Sequence, residues 1–316
     1  MNTSWQNPLV EQRADPHLSL VDGRYWFTAS VPSYDAIEIR SAGSIPGLAN
    51  AATKVIWRAH ASGPMSWHVW APELHRIDGR WYVYFAASER DDIWKLRMYV
   101  LECTGPDPLN DPWLERGQIV TPEEGFSLDA TPFEHNGRRF LCWAQKSPPT
   151  ESNLYIAELS NPWTLKTEPV VITRPDLAWE RIGFCVNEGP ALLKRNGRVF
   201  IAYSAAATDA NYCMGLLWAD ENADLLDAAS WHKSPTPVFC THEAAGQFGP
   251  GHNSFTTTPD GQTDLLVYHA RNYRDIVGDP LNDPNRHARV QAFGWRSDGF
   301  PDFGTPVADG TYSLGD

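Results

Sequence analysis

Three acidic residues, Asp15, Asp129 and Glu188, each stand eight or nine positions ahead of a glycine, at Gly23, Gly137 and Gly197. Two more stretches share the layout, with Ala71 before Gly79 and His252 before Gly261. Carboxylates brought together repel one another, so a fold that gathers three of them points to a working site. The chemistry that uses such a group is cleavage of a glycosidic bond. One carboxylic acid protonates the leaving oxygen while a second carboxylate activates water or attacks directly. A third raises the donor's pKa by like-charge proximity and keeps it protonated near neutral pH. Taken singly, an Asp before a proline, as in Asp15-Pro16, is ordinary turn chemistry. The shared phase lifts the set above that reading.

The phase comes from an internal repeat. A strand, a turn and a second strand return five times, from Ala14, Ala71, Leu128, Asn187 and Gly251, and the turn glycines are 56, 58, 60 and 64 residues apart. Asp-Gly or Asn-Gly at the turn is a strong hairpin signal, because a tight primed turn needs φ > 0. Each turn leads into a run such as Trp81-Tyr82-Val83-Tyr84-Phe85-Ala86-Ala87, the pattern of a strand covered on both faces. Hairpin units of about 60 residues bury their faces by stacking radially around a channel. The expected fold is therefore all-β, a five-bladed β-propeller with a central channel, and residues 1–316 form one catalytic domain. Asp15, Ala71, Asp129, Glu188 and His252 then begin the innermost strands and converge at one mouth of the channel. The segment 289–305 is expected to pair with the N-terminal region and close the ring, removing open sheet edges.

Composition narrows the partners. The net charge is −13 with no basic block, which disfavours nucleic acid. No apolar stretch approaches the length of a membrane span. Met1 to Val10 lacks the basic and apolar regions of a secretory leader, so a cytoplasmic location is expected. The five cysteines are scattered with no CxxC pair, which reads as free thiols rather than a zinc site or disulfide framework. No G-x-S-x-G elbow, phosphate-binding loop or H-E-x-x-H helix is present.

The motifs Ala14-Asp15-Pro16, Trp70-Ala71-Pro72-Glu73, Ser127-Leu128-Asp129-Ala130, Asn187-Glu188-Gly189-Pro190, Gly251-His252-Asn253 and Arg286-His287-Ala288-Arg289 together resemble glycoside hydrolase family 43 over essentially the whole chain. The resemblance implies a five-bladed propeller that inverts anomeric configuration. By position, Asp15 resembles the general base, Glu188 the general acid, and Asp129 the residue that tunes and orients the acid. His252 resembles the channel histidine that in some members faces a calcium or other cation through water, and Arg289 the arginine that reaches the sugar. The chemistry itself requires no cofactor. Trp70 and Trp143, at or near inner-strand ends, are candidate walls for a sugar ring. The run from Tyr268 to Tyr273 and the Asp-Pro-Leu and Asn-Arg-His-Ala-Arg stretches after it look most like the exo-acting α-L-arabinofuranosidase branch, whose substrates contain arabinofuranose. The competing readings are a β-xylosidase of the same family and a sugar-binding propeller without turnover. The stretch Asp279 to Pro284 reads as turn chemistry.

Overall fold

A computed structural model describes residues 4–147 and 150–313. The chain forms five consecutive antiparallel sheets arranged as the blades of a propeller. Their inner strands are Ala14–Val21, Trp67–Ile77, Ser127–His135, Asn187–Arg195 and Phe248–Thr257, and in every blade the second strand follows directly. Four blades have four strands. The third carries two short strands, Thr164–Leu165 and Val170–Thr173, beside its third strand.

The turns explain the regularity. Asp22-Gly23, Asp78-Gly79, Asn136-Gly137 and Asn196-Gly197 all have positive φ at both residues, the geometry whose twist matches that of the strands it joins. In the fifth hairpin the strands end at Thr257 and restart at Asp264, and the wider loop keeps positive φ at Gly261.

The core is divided among the seams between blades rather than placed at the centre. Trp26, Ile37 and Ile39 of blade one pack on Val69, Leu74 and Phe85 of blade two, and Leu18 and Phe27 of blade one pack on Leu265 and Val267 of blade five. Strands such as Arg80–Glu89 lie between two seams, which is why their sequences are apolar on both faces.

Ring closure differs in part from expectation. Asn7 does reach the third strand of blade five, where its side chain bonds both the C=O and the N–H of Val290 at 2.8 and 3.0 Å, and Val10 bridges Ala288. The regular ladder, however, joins Ser4–Asn7 to Gly310–Ser313, beyond the expected segment. A buried amide that mimics a strand needs no run of matching residues, so no sequence pattern announces it.

Candidate active site

Every inner strand carries in its first half a β-bulge at which two residues face one on the second strand. The intervals are Ala14 to His17, Trp70 to Glu73, Leu128 to Thr131, Glu188 to Ala191 and Gly251 to Ser254. The first bulged residue has left-handed backbone in all five blades: Asp15 (φ 54), Ala71 (46), Asp129 (58), Gly189 (55) and His252 (42). Non-glycine residues adopt this conformation at a cost and usually where a side chain must be aimed. The expected equivalence of the three acids therefore needs correction. Asp15 and Asp129 hold the bulged position, but in blade four Gly189 holds it and Glu188 stands one residue earlier. Glu188 thus leaves the strand at a different point from the other two.

A bulge frees a backbone N–H, and buried donors need partners. Four are supplied by the preceding blade around the ring. Asp15 N–H donates to His269 Nδ1 (3.0 Å), Ala71 N–H to Ser30 Oγ (2.8 Å), Gly189 N–H to Asp129 Oδ2 (2.9 Å) and His252 N–H to Ser204 Oγ (2.7 Å). Three of these acceptors, Ser30, Ser204 and His269, pair across the blade with Ala14, Glu188 and Gly251.

The acids meet at a cavity of about 100 Å³ whose lining includes Asp15, Trp70, Asp129, Glu188, Thr208, His252, Leu281 and Arg286. This is well below the roughly 300 to 1,000 Å³ of pockets that enclose drug-sized ligands, and it suits one sugar unit. Asp15 is buried, and burial alone would raise its pKa. The Arg286 guanidinium at 3.3 Å, His252 at 3.4 Å and a 2.6 Å hydrogen bond from Ser30 outweigh it. The carboxyl is held well below the usual aspartate range and stays ionised.

Glu188 and Asp129 form a coupled pair with the opposite bias. Burial raises both, the charge of Asp15 adds to it in each, and Glu188 raises Asp129 further. The Tyr212 hydroxyl donates to Glu188 Oε1 at 2.7 Å and opposes the shift. Asp129 Oδ1 is buried with no hydrogen-bond partner, which disfavours the ionised form of this carboxyl. The cavity therefore holds one firmly ionised carboxylate and one carboxyl pair that retains a proton. That division is what acid–base cleavage requires.

Four predicted residues besides the acids have definite places. Trp70 lines the cavity, stacked on His68 with ring centroids 4.3 Å apart. His252 lines it too. Trp143 does not: it is fully buried in the seam between blades two and three, bonded to Gln145 and stacked on Tyr155. Arg289 is also corrected. It is fully buried and bonds the carbonyls of Ala270 and His287, Asn272 and Asp309. Arg286, which precedes the strand His287–Trp295, lines the cavity in its place.

The Nδ1 atom of His252 faces Asp15, an arrangement that leaves the other ring nitrogen for water or an ion. Among the described residues, the three metal-capable side chains that come together are His17, Glu73 and His75. There His75 Nε2 is already bonded to Glu73 at 2.7 Å, and His17 Nδ1 accepts the Leu74 N–H.

Sequence reading missed Arg286, Ser30, Tyr212 and His269 as site residues. The last three belong to second strands or precede third strands, and only the cross-blade register reveals them. Leu281, in the turn where Asp279 accepts the Leu281 N–H, reaches the cavity although that turn reads as local chemistry.

Comparison with known proteins agrees with this arrangement. An exo-α-(1→5)-L-arabinofuranosidase of Streptomyces avermitilis, named as extracellular, is 57% identical over 312 residues, covering 98% of this chain and 65% of that protein. A second, from Streptomyces chartreusis and likewise named as extracellular, is 54% identical over 279 residues, covering 87% of this chain and 85% of its own. The crystal structure of an α-L-arabinofuranosidase from Lactobacillus brevis superposes with a TM-score of 0.94 at 57% identity, covering 96% of this chain and 98% of that one. The chain thus spans about two thirds of the first relative's length. The expected cytoplasmic location does not stand beside relatives named as extracellular. No helix among the described residues is long and apolar enough to cross a membrane. The sequence model described as Glycosyl hydrolases family 43 matches residues 5–301, and with the bulge-borne acids and the five blades it establishes that the chain belongs to that family.

Proposed function

We propose that this protein is an inverting glycosidase that releases terminal α-L-arabinofuranosyl residues from arabinan or arabino-oligosaccharides. The observation that carries the proposal is the opposed protonation of Asp15 and the Glu188–Asp129 pair around a cavity sized for one sugar. Asp15, held ionised by Arg286, takes a proton from water as the water attacks the anomeric carbon. Glu188 gives its proton to the departing glycosidic oxygen, and Asp129 keeps that proton available by raising the energy of the ionised pair. Trp70 and Leu281 supply apolar wall, and a cavity of this size favours chain ends over internal units. A water-held cation beside His252 would fix the channel's charge without entering the reaction. The names of the relatives at 53–57% identity support arabinofuranose as the sugar.

Linear arabino-oligosaccharides test the proposal. Arabinose is expected as the first and main product at every time point, with aryl α-L-arabinofuranoside cleaved far faster than aryl β-D-xyloside. Preferential xylose release would make the protein a β-xylosidase, and tight binding without cleavage would make it a sugar-binding propeller. Replacing Asp15 or Glu188 by Ala is expected to lower kcat at least about 10² to 10⁴-fold.

A further inference from the structure

From the geometry we infer that Trp94 is a stacking platform for the leaving-group side of the substrate, one sugar unit outside the catalytic cavity. This rests on the arabinofuranosidase reading and adds the site that would hold the rest of the chain. Inner strands begin at the cavity and run to the hairpin turn at the far end, so second strands return to the cavity face. The connection between Arg80–Glu89 and Asp92–Cys103 is therefore on the cavity side of blade two.

Trp94 lies just past that connection and is 55% exposed, with Ile93 and Trp67 also exposed beside it. Large apolar side chains grouped in water mark binding surfaces more often than chance placement. This group is joined ring to ring with the cavity wall. Trp94 meets Trp70 edge-on at 6.4 Å and His68 at 5.5 Å, and His68 stacks on Trp70. Trp70 lines the cavity that holds the acids.

The platform is also held in place. Burial keeps His68 neutral, and its Nδ1–H donates to the carbonyl of Ile93 at 2.8 Å. His68 itself has left-handed backbone, φ 47, so the strand turns sharply to make this bond. An indole face is electron-rich and attracts the polarised C–H face of a sugar ring. A furanose chain leaving the cavity over Trp70 meets Trp94 as its next apolar surface.

The test compares Trp94→Ala and Trp94→Phe with the unmodified enzyme on two substrates: α-1,5-arabinotriose and methyl α-L-arabinofuranoside, whose leaving group carries no ring. With Trp94→Ala, kcat/KM for the triose should fall about 5- to 10-fold, mainly through KM, a change in keeping with the loss of one aromatic contact. The methyl glycoside should stay within about twofold, and Trp94→Phe should recover most of the triose activity. Equal losses on both substrates would reduce Trp94 to packing and overturn the proposal. So would an unchanged triose rate, or a selective triose loss found only in Phe184→Ala, which would route the chain over the loop before Glu188. If the unmodified enzyme released arabinose from neither substrate, the arabinofuranosidase reading itself would fall, and this inference with it.

Discussion

At the scale of residues, the site works by setting two carboxyls against each other in one buried space. Asp15 is surrounded by Arg286, His252 and Ser30, so its negative charge is favoured. Glu188 sits among other acids and has Tyr212 as its chief neutralising contact. The sign of the pH dependence follows. The base form of Asp15 survives far into acid, because its folded pKa is depressed, whereas the acid form of Glu188 is lost as pH rises through its raised value. The alkaline limb of kcat/KM therefore reports Glu188 and Asp129 together. Tyr212→Phe removes a donor that favours the carboxylate, which raises the acid's pKa further. The alkaline limb should move up by roughly one pH unit. A pH profile in which that limb is unmoved, or moves toward acid, would remove Tyr212 from the account.

The elements that aim these residues are the bulged starts of the inner strands. A one-residue insertion turns Asp15, Asp129 and His252 out of the ladder, and the blade before each donor supplies the acceptor in four places. Gly189 shows what the geometry demands. A Cβ there would lie 3.1 Å from His252 Cγ on backbone at φ 55, whereas at Gly23, φ 73, it would meet nothing within 4 Å. Both Gly→Ala changes should cost about 1–2 kcal/mol in stability, the price of left-handed backbone. Only Gly189→Ala should also lower kcat, since it disturbs Asp129 and His252. Thermal denaturation and kinetics on the two variants separate these effects, and equal kinetics would contradict the role given to the bulge. The repeat made the hairpins and three acids legible because turn glycines and buried strands leave strong local patterns. Bulge phase does not: the one-residue offset of Glu188 is visible only in the pairing of Glu188 with Ser204. Arg286 and Arg289 were indistinguishable by type: Arg286 precedes the strand and lines the cavity, whereas Arg289 lies within the strand and is tied to Asp309.

The whole molecule is a ring, and its closure stabilises the site without touching it. Asn7 is fully buried and satisfies both backbone groups of Val290. Asn7→Ala would leave that N–H unpaired, while the C=O keeps the Trp5 indole N–H at 2.9 Å, a loss of about 1–3 kcal/mol. A lowered melting temperature with kcat per folded molecule unchanged is expected, and an unchanged melting temperature would show that the seam is held elsewhere. Asp15 and Glu188 belong to blades one and four, with the blade of His252 between them around the ring. For Asp15 to activate water rather than attack the sugar, the two carboxyls must stand roughly 6.5 to 9.5 Å apart, against about 5 to 5.5 Å in a retaining pair. The most direct measurement is the proton NMR spectrum of arabinose as it is first released from α-1,5-arabinotriose, before mutarotation. The anomeric signal of β-L-arabinofuranose should appear first; initial appearance of the α-anomer would mean retention, and would contradict the assignment of Asp15 as a base.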